Sequence, residues 1–225
     1  MTKKLFWVNP YQNSCETEIE SVSGSIVTLK ETIFYAFSGG QESDHGTIGG
    51  YQVINARKIG LDIEYEMPGD HALLNRENVN VSIDWSRRYA LMRLHFAAEL
   101  VLELTYQQLP GIEKIGAHIA QDKARIDYFW PQSISPYLAK LASDAQKIID
   151  ENHEIRSAFS DELSQRRYWE IPGFAKVPCG GTHLRKTGEV GLISLKRNNI
   201  GKGKERIEVF VNLLNPPDPL ENIDE

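Results

Sequence analysis

Apolar and polar residues alternate in short segments over the first third of the chain, a pattern that predicts β-strands. Residues 25–29 and 51–55 show this alternation, and clusters of glycine and serine at 38–40 and 46–50 mark turns. We therefore expect a small, glycine-rich, β-barrel-like domain over residues 1–82.

The strongest helical pattern begins at Asp84, a residue type that caps helix N-termini well. Neither glycine nor proline interrupts residues 87–108, and Pro110-Gly111 provides a stop. Apolar residues recur at helical spacing along one face: Leu91, Leu94, Ala98 and Val101. This segment predicts one long helix with a buried face.

The remainder of the chain mixes strand and helix patterns, which predicts an α+β domain over residues 83–214. The predicted elements are a hairpin at 116–119 and 124–129, helices at 136–151 and 155–167, and strands at 191–196 and 206–211. We expect the long helix to pack on an antiparallel sheet formed by these strands. Residues 215–225 are acidic and contain proline, so a flexible tail is predicted there.

Composition is typical of a soluble globular protein, with 41% hydrophobic and 25% charged residues. No apolar run approaches the roughly 20 residues that a membrane-spanning helix needs. The N-terminus also lacks the apolar stretch of a signal peptide, so a cytoplasmic location is expected. Of the two cysteines, Cys15 and Cys179, one is expected to serve a metal site or catalysis rather than a disulfide.

Charge is distributed unevenly, although the net charge is −6. Between Lys176 and Arg206 the chain carries eight basic residues against two acidic ones. Such a patch can attract phosphate groups even in an acidic protein. A solvated basic surface without a ligand explains the same pattern equally well.

Two segments combine residues that bind metals. His95 and Glu99 are four residues apart in the predicted long helix, so their side chains share a face. The segment Cys179-Gly180-Gly181-Thr182-His183 places a thiol and an imidazole around two glycines, which permit a tight turn. Zinc accepts one sulfur, two nitrogens and a carboxylate in a tetrahedral site. Either segment alone is weak evidence, but together they predict a zinc site.

Four segments, taken together and in order, point to a known family. They are Ser38-Gly39-Gly40-Gln41 with Asp44-His45-Gly46; Asp84-Trp85-Ser86-Arg87-Arg88 with the helix segment from Met92 to Leu100; Pro178-Cys179-Gly180-Gly181-Thr182-His183; and Gly201-Lys202-Gly203-Lys204-Glu205-Arg206-Ile207. These segments resemble the motifs of the freestanding alanyl-tRNA editing proteins of the AlaX type, which are related to the second additional domain of alanyl- and threonyl-tRNA synthetases. The resemblance covers about residues 30–212.

This resemblance implies a zinc-dependent hydrolase that removes serine, and in some members glycine, from tRNA(Ala). It also implies a zinc ion held by two helical histidines, a cysteine and a further histidine. These positions correspond here to His95, Glu99, Cys179 and His183, so the second helical histidine is replaced by Glu99. Three interpretations remain open: Glu99 is a zinc ligand, which we favour; Glu99 is a general base beside three ligands and a water; or the site is degenerate.

Other residues have expected roles in binding the substrate. Backbone N–H groups of the Gly180-Gly181 turn are expected to stabilise an oxyanion, and Gln41 and Thr182 to hydrogen-bond a serine hydroxyl. Five cations are expected to contact tRNA phosphates: Arg185, Lys186, Lys202, Lys204 and Arg206. Two alternative functions remain: a tRNA-binding relative with weakened or lost catalysis, and a zinc hydrolase acting on another small ester or amide.

Overall fold

Antiparallel strands and two α-helices make up the computed structural model, which describes residues 1–212 and 214–218. The one parallel pair between named strands of the described chain joins β1 (Lys3–Lys4) to β4 (Glu31–Thr32). The predicted α+β class is therefore confirmed. No helix in these residues is both long enough and apolar enough to cross a membrane.

The described residues form two compact units. The first contains Met1–Ser38, Glu42–Tyr89 and the described part of Asn215–Glu225; the second contains Gly39–Gln41 and the described part of Ala90–Leu214. The functional division at residue 82, between a glycine-rich domain and an editing domain, stays a prediction.

The first unit is built on a seven-stranded sheet in the order β6-β5-β9-β2-β3-β8-β7. Its strands are β2 (Ser14–Ser23), β3 (Ile26–Leu29), β5 (Gly46–Ile48), β6 (Tyr51–Gln52), β7 (Asn55–Ile59), β8 (Asp62–Glu66) and β9 (Asn78–Ile83). The strand predicted at 25–29 is confirmed as β3. The strand predicted at 51–55 is instead divided between β6 and β7. Val53 and Ile54 lie in the turn between them, where their backbone N–H groups donate to the carbonyl oxygens of Gly46 and Glu66.

A buried ion pair lies in the first unit and joins two residues of the family segments, Asp44 and Arg88, for which the sequence alone predicted no role. The Arg88 guanidinium pairs with the Asp44 carboxylate, and both side chains are fully buried. Arg88 also donates to the carbonyl oxygens of Pro10 at 2.9 Å and Ile33 at 2.6 Å. Because a buried pair is costly to break, this network fixes the start of the long helix.

That helix, α1 (Trp85–Gln108), follows the predicted bounds. The Asp84 carboxylate accepts a hydrogen bond from the Arg87 backbone N–H at 3.0 Å, which confirms the predicted cap. The predicted apolar face is buried at all four positions: Leu91, Leu94, Ala98 and Val101.

The second unit contains a four-stranded antiparallel sheet in the order β10-β11-β16-β15. Its strands are β10 (Glu113–Ile119), β11 (Ala124–Phe129), β15 (Ile193–Gly201) and β16 (Lys204–Val211). Helix α2 (Ser135–Asp150) is joined to β15 by a 3.0 Å hydrogen bond from the Ile193 N–H to Gln146. The predicted hairpin, second helix and two final strands are thus confirmed.

The helix predicted at 155–167 is wrong. This segment forms an antiparallel hairpin of β12 (Arg156–Asp161) and β13 (Arg166–Ile171), which β14 (Ala175–Pro178) extends to three strands. Apolar residues at Ile155, Ala158 and Phe159 match helical spacing, but Trp169 and Ile171 alternate and are buried as strand residues. Pairing with β14 therefore overrides the local pattern.

Part of the predicted flexible tail, residues 219–225, lies outside the described residues. In the described part, the Pro217 carbonyl oxygen accepts a 2.8 Å hydrogen bond from the Trp85 indole, within the first unit.

Candidate metal centre

Helix α1 and the loop after β14 bring three metal-binding side chains together in the second unit. One donor atom from each of His95, Cys179 and His183 lies within 4.8 Å of the other two. The Cys179 Sγ atom is 3.4 Å from His95 Nε2 and 3.3 Å from His183 Nε2. Neighbouring donors around a tetrahedral zinc are about 3.5 Å apart, given its bond lengths to nitrogen and sulfur. These three residues therefore fit a zinc ion.

Hydrogen bonds at the other ring nitrogens orient both histidines. His95 Nδ1 lies 3.3 Å from the Thr182 carbonyl oxygen, and His183 Nδ1 lies 3.1 Å from the Ser157 hydroxyl. Metal-binding histidines usually make such a bond with the nitrogen that does not face the metal. The arrangement leaves both Nε2 atoms directed at Cys179.

Gly181 permits the loop to approach the helix closely. A Cβ atom at this position would lie 2.1 Å from His95 Cε1 and 2.7 Å from Gln41 Oε1. No side chain fits there without moving His95. The second glycine of the predicted loop motif is thus required by contact with a metal-binding residue.

Gln41 and Thr182, the two residues expected to bind a serine hydroxyl, contact each other. Gln41 Nε2 donates to Thr182 Oγ1 at 2.9 Å, and Gln41 Oε1 accepts from the Thr182 backbone N–H at 3.3 Å. Both residues are only 1% exposed. Gln41 therefore fixes Thr182, whose carbonyl oxygen in turn contacts His95 Nδ1.

Glu99 lies beside the three donors but is not a member of their group. Its Oε1 atom is 3.6 Å from His95 Nε2, and its Oε2 atom accepts a 3.1 Å hydrogen bond from the Trp169 indole. One carboxylate oxygen is thus held by Trp169, and the other faces the metal-binding side chains.

The electrostatics of the cluster favour a bound cation. Burial raises the pKa of the Cys179 thiol, but the charges and hydrogen bonds of His95 and His183 outweigh burial and lower it to about 6. Burial likewise disfavours ionised Glu99, yet contacts with His95 and Trp169 lower its pKa to about 2. Burial opposes protonation of His95, whereas Cys179 and Glu99 raise its pKa well above the usual value. Two half-buried groups that favour their anionic forms thus share one site.

The three-stranded sheet presents several site residues on one face. Ser157 is paired with Trp169 across β12 and β13, and Trp169 is paired with Val177 on β14. Sequence analysis did not identify Ser157 or Trp169 as site residues. Ser157 lies in the segment that was predicted to be a helix, and Trp169 lies just beyond it. The only sequence signal for a strand here is the alternation of apolar residues at Trp169 and Ile171, which lie beyond the helical pattern of residues 155–167.

The five cations predicted to bind phosphate differ in their surroundings. Lys186, Lys202 and Lys204 are exposed, and Arg185 is half-buried. Arg206 forms an ion pair with Asp127, with N–O distances of 2.6 and 3.0 Å, and Asp127 also contacts Arg125, so the Arg206 guanidinium is already engaged within the protein. Lys202 and Lys204 lie at the turn between β15 and β16. Their exposed ammonium groups suit phosphate binding better than the guanidinium of Arg206, which contacts Asp127.

Comparison with known proteins defines the family. Residues 168–208 match the model of the threonyl and alanyl tRNA synthetase second additional domain. Alanyl-tRNA editing protein AlaX-M of Pyrococcus horikoshii is 32% identical over 216 residues, covering 94% of this chain and 98% of the relative. The chain belongs to the AlaX-M family. The resemblance inferred from the four segments is therefore confirmed.

Other relatives extend the AlaX-M family assignment. Alanyl-tRNA editing protein AlaX-M of Methanosarcina mazei is 29% identical over 246 residues, covering 95% of this chain and 97% of the relative. Alanine–tRNA ligase of Ignicoccus hospitalis is 30% identical over 232 residues, which cover 92% of this chain but 26% of that enzyme. The chain thus matches one part of a synthetase and nearly the whole of the freestanding editing proteins.

Proposed function

We propose that this chain is a trans-editing hydrolase that cleaves the ester bond of mischarged tRNA(Ala), with seryl- and glycyl-tRNA(Ala) as substrates. The group of His95, Cys179 and His183 supports a hydrolytic metal centre, since its donor atoms lie within 4.8 Å of one another. The names of its relatives support the substrate, because these are alanyl-tRNA editing proteins. We expect the reaction to take place in the cytoplasm, where aminoacyl-tRNA is used.

In this proposal zinc is the cofactor, held by His95, Cys179, His183 and, as the fourth donor, Glu99. The 3.6 Å between Glu99 Oε1 and His95 Nε2 is close to the about 3.4 Å expected between neighbouring oxygen and nitrogen ligands of zinc. Trp169 supports this role, because carboxylates that bind metals are usually held by a second hydrogen bond. Ligation requires Oε1 to move closer to the other two donors, since Glu99 lies outside their group.

Zinc supplies Lewis acidity, which polarises an ester carbonyl or activates water. The chain itself supplies orientation: Thr182 and Ser157 fix the two imidazoles through Nδ1, so that neither ring turns away. The two histidines are buried, whereas Cys179 is half-buried.

Selection of serine over alanine would use the Gln41–Thr182 pair. These groups satisfy each other through a 2.9 Å hydrogen bond, so a serine hydroxyl would have to exchange with that bond. A site that hydrogen-bonds a hydroxyl discriminates strongly against a substrate that lacks it. Alanine would place its methyl group against the pair without replacing that bond, whereas glycine has no side chain and would leave the pair undisturbed, so correctly charged tRNA(Ala) would stay intact.

Binding of the tRNA acceptor end would use Arg185, Lys186, Lys202, Lys204 and Arg206. The exposed lysines suit this role best, because phosphate contacts position a nucleic acid without reading its sequence. Arg206 would contribute less, because Asp127 already holds its guanidinium.

Deacylation of charged tRNA(Ala) tests the function directly. Zinc-loaded protein should release serine and glycine from tRNA(Ala) and leave alanine attached. Cys179→Ala should lose both zinc and activity, whereas Cys15→Ala, which removes the other free cysteine, should keep both. Inactivity of the parent protein on both mischarged substrates would refute the hydrolase, and full zinc occupancy in Cys179→Ala would refute the metal centre.

Substitutions of Glu99 separate the interpretations of its role. If Glu99 is a ligand, Glu99→His should retain zinc and activity, and Glu99→Ala should lose metal affinity. If it is a general base, Glu99→Ala should keep zinc and lose roughly 10²–10⁴ in rate. Glu103→Ala, which removes a carboxylate one turn further along α1, is the matched control. Full zinc together with inactivity in Glu99→Ala would contradict the ligand role.

A further inference from the structure

An aromatic residue shares the sheet face of the metal centre. Phe159 on β12 is paired directly with Arg167 on β13. The Cys179 backbone N–H donates to the Arg167 carbonyl oxygen at 2.9 Å, which continues the pairing of β13 and β14 by one residue. Side chains of directly opposed residues project from the same face of a sheet. Phe159, Arg167 and Cys179 therefore form one row across three strands.

Within this row, the cation holds the aromatic ring in place. The centre of the Arg167 guanidinium lies 4.5 Å from the centroid of the Phe159 ring, which is a cation–π contact. Arg167 is 7% exposed, whereas Phe159 remains 37% exposed. The ring is thus supported by a buried cation and still accessible to a ligand.

The separation between the backbones of Phe159 and Cys179 suits a nucleoside. Two strand spacings separate Phe159 from Cys179, which is about 10 Å between their backbones. A nucleotide that carries an amino acid on its ribose has its base at one end and its ester at the other. A base stacked on Phe159 would direct the ester towards Cys179 and the two histidines.

We propose that Phe159, supported by Arg167, is the stacking platform for the terminal base of the tRNA 3′ end. Aromatic rings and arginine planes bind unpaired bases in this way, without dependence on sequence. The positive charge of Arg167 adds attraction for the neighbouring phosphates. This inference rests on the proposed function, since it assumes that a tRNA 3′ end enters the site.

A binding cycle with uncharged tRNA(Ala) tests the platform without hydrolysis. The two ligands are the full tRNA and a tRNA shortened by its terminal adenosine, and the proteins are the parent, Phe159→Ala and Phe159→Tyr. Removing the ring should weaken binding of full tRNA roughly five- to 150-fold, the usual range for one stacked base. Phe159→Tyr, which keeps a ring, should bind as the parent does. The shortened tRNA should bind the parent and Phe159→Ala equally, because the stacking partner is absent from both complexes.

Leu163→Ala is the control, since Leu163 is 91% exposed in the turn of the same hairpin and should not affect either ligand. Equal weakening of both tRNAs by Phe159→Ala, or no weakening, would overturn the platform. The proposed function is tested separately, by deacylation of seryl-tRNA(Ala). If Phe159→Ala weakens binding of the full tRNA but not of the shortened tRNA, and the parent does not deacylate, the platform is supported and the hydrolase is refuted. Deacylation with no coupling would refute the platform alone.

Discussion

The indole N–H of Trp169 donates a 3.1 Å hydrogen bond to the carboxylate of Glu99, 70 positions earlier in the chain. We predict that Trp169→Phe lowers zinc affinity roughly 10–100-fold, the usual cost of removing a hydrogen bond that orients a ligand. Phenylalanine keeps the edge contact with Phe96 but lacks the donor. Competition with a zinc chelator measures the change.

Trp130→Phe is the matched control for this prediction. Among the described residues, the Trp130 indole nitrogen is buried without a hydrogen-bond partner, so its removal breaks no hydrogen bond. If Trp169→Phe bound zinc as tightly as Trp130→Phe, the orienting role of Trp169 would have to be abandoned.

Gly181→Ala should displace His95 and reduce zinc occupancy sharply. The added Cβ would lie 2.1 Å from the His95 ring, far inside van der Waals contact. Zinc content after dialysis is the measurement, with circular dichroism to verify folding. Gly69→Ala, where a Cβ meets nothing within 4 Å, should retain full zinc. Normal occupancy in Gly181→Ala would mean that His95 is not a ligand in this position.

The exposed lysines of the β15–β16 turn should contribute to the salt dependence of tRNA binding. Replacing Lys202 and Lys204 with alanine should reduce the slope of log K against log salt by about 1 to 2, the value for two lost phosphate contacts. Affinity measured at several salt concentrations gives the slope. The double substitution of Lys140 and Lys147, exposed on α2, removes equal charge and should leave it unchanged. Equal slopes for all three proteins would show a solvated surface.

Lys4 should make stability depend on pH in the alkaline range. Burial lowers the pKa of its amine to about 8, with repulsion from Lys58 adding to the effect and Asp62 opposing it. An unfolded lysine titrates near 10.4, so between these values the unfolded chain binds more protons and stability rises with pH. This gain in stability is fully present above the pKa of lysine in the unfolded chain, and it is lost as the pH falls through about 8, the pKa of Lys4 in the folded protein.

Urea unfolding of the parent and Lys4→Met between pH 7 and about 10.5 tests this sign. The free energy of unfolding of the parent should rise with pH relative to that of Lys4→Met. Lys4 also donates to the carbonyl oxygen of Leu61 at 2.6 Å, so the variant has a constant penalty at every pH. Lys3→Met removes a neighbouring exposed lysine and serves as the control. A difference that stays constant across the range would disprove the prediction.

Features determined by local sequence were predictable. The bounds of α1 follow from the Asp84 cap and from Pro110-Gly111, and its buried face follows from apolar spacing. The pairing of His95 and Glu99 on one helix face, with Cys179 and His183 around a glycine turn, likewise follows from spacing. The structure adds that three of these four residues form the compact donor group.

Features that depend on distant partners were not predictable. Residues 155–167 fit helical spacing, and only pairing of β13 with β14 decides for strands. The contact between Gln41 and Thr182 joins residues 141 positions apart, and no local pattern reports it. The Trp169–Glu99 hydrogen bond likewise joins distant residues, and it depends on the position of the hairpin that carries Trp169.

The register of the three-stranded sheet determines more than its own pairing. Ser157, Trp169 and Cys179 reach the donor group because β12, β13 and β14 turn the same face towards it, and a slip of one residue would exchange that face for the opposite one. Metal would then bind only the correctly aligned chain, and each bound ion would favour that alignment by mass action. Zinc binding would therefore select the correct register of the three strands during folding, before any tRNA is present.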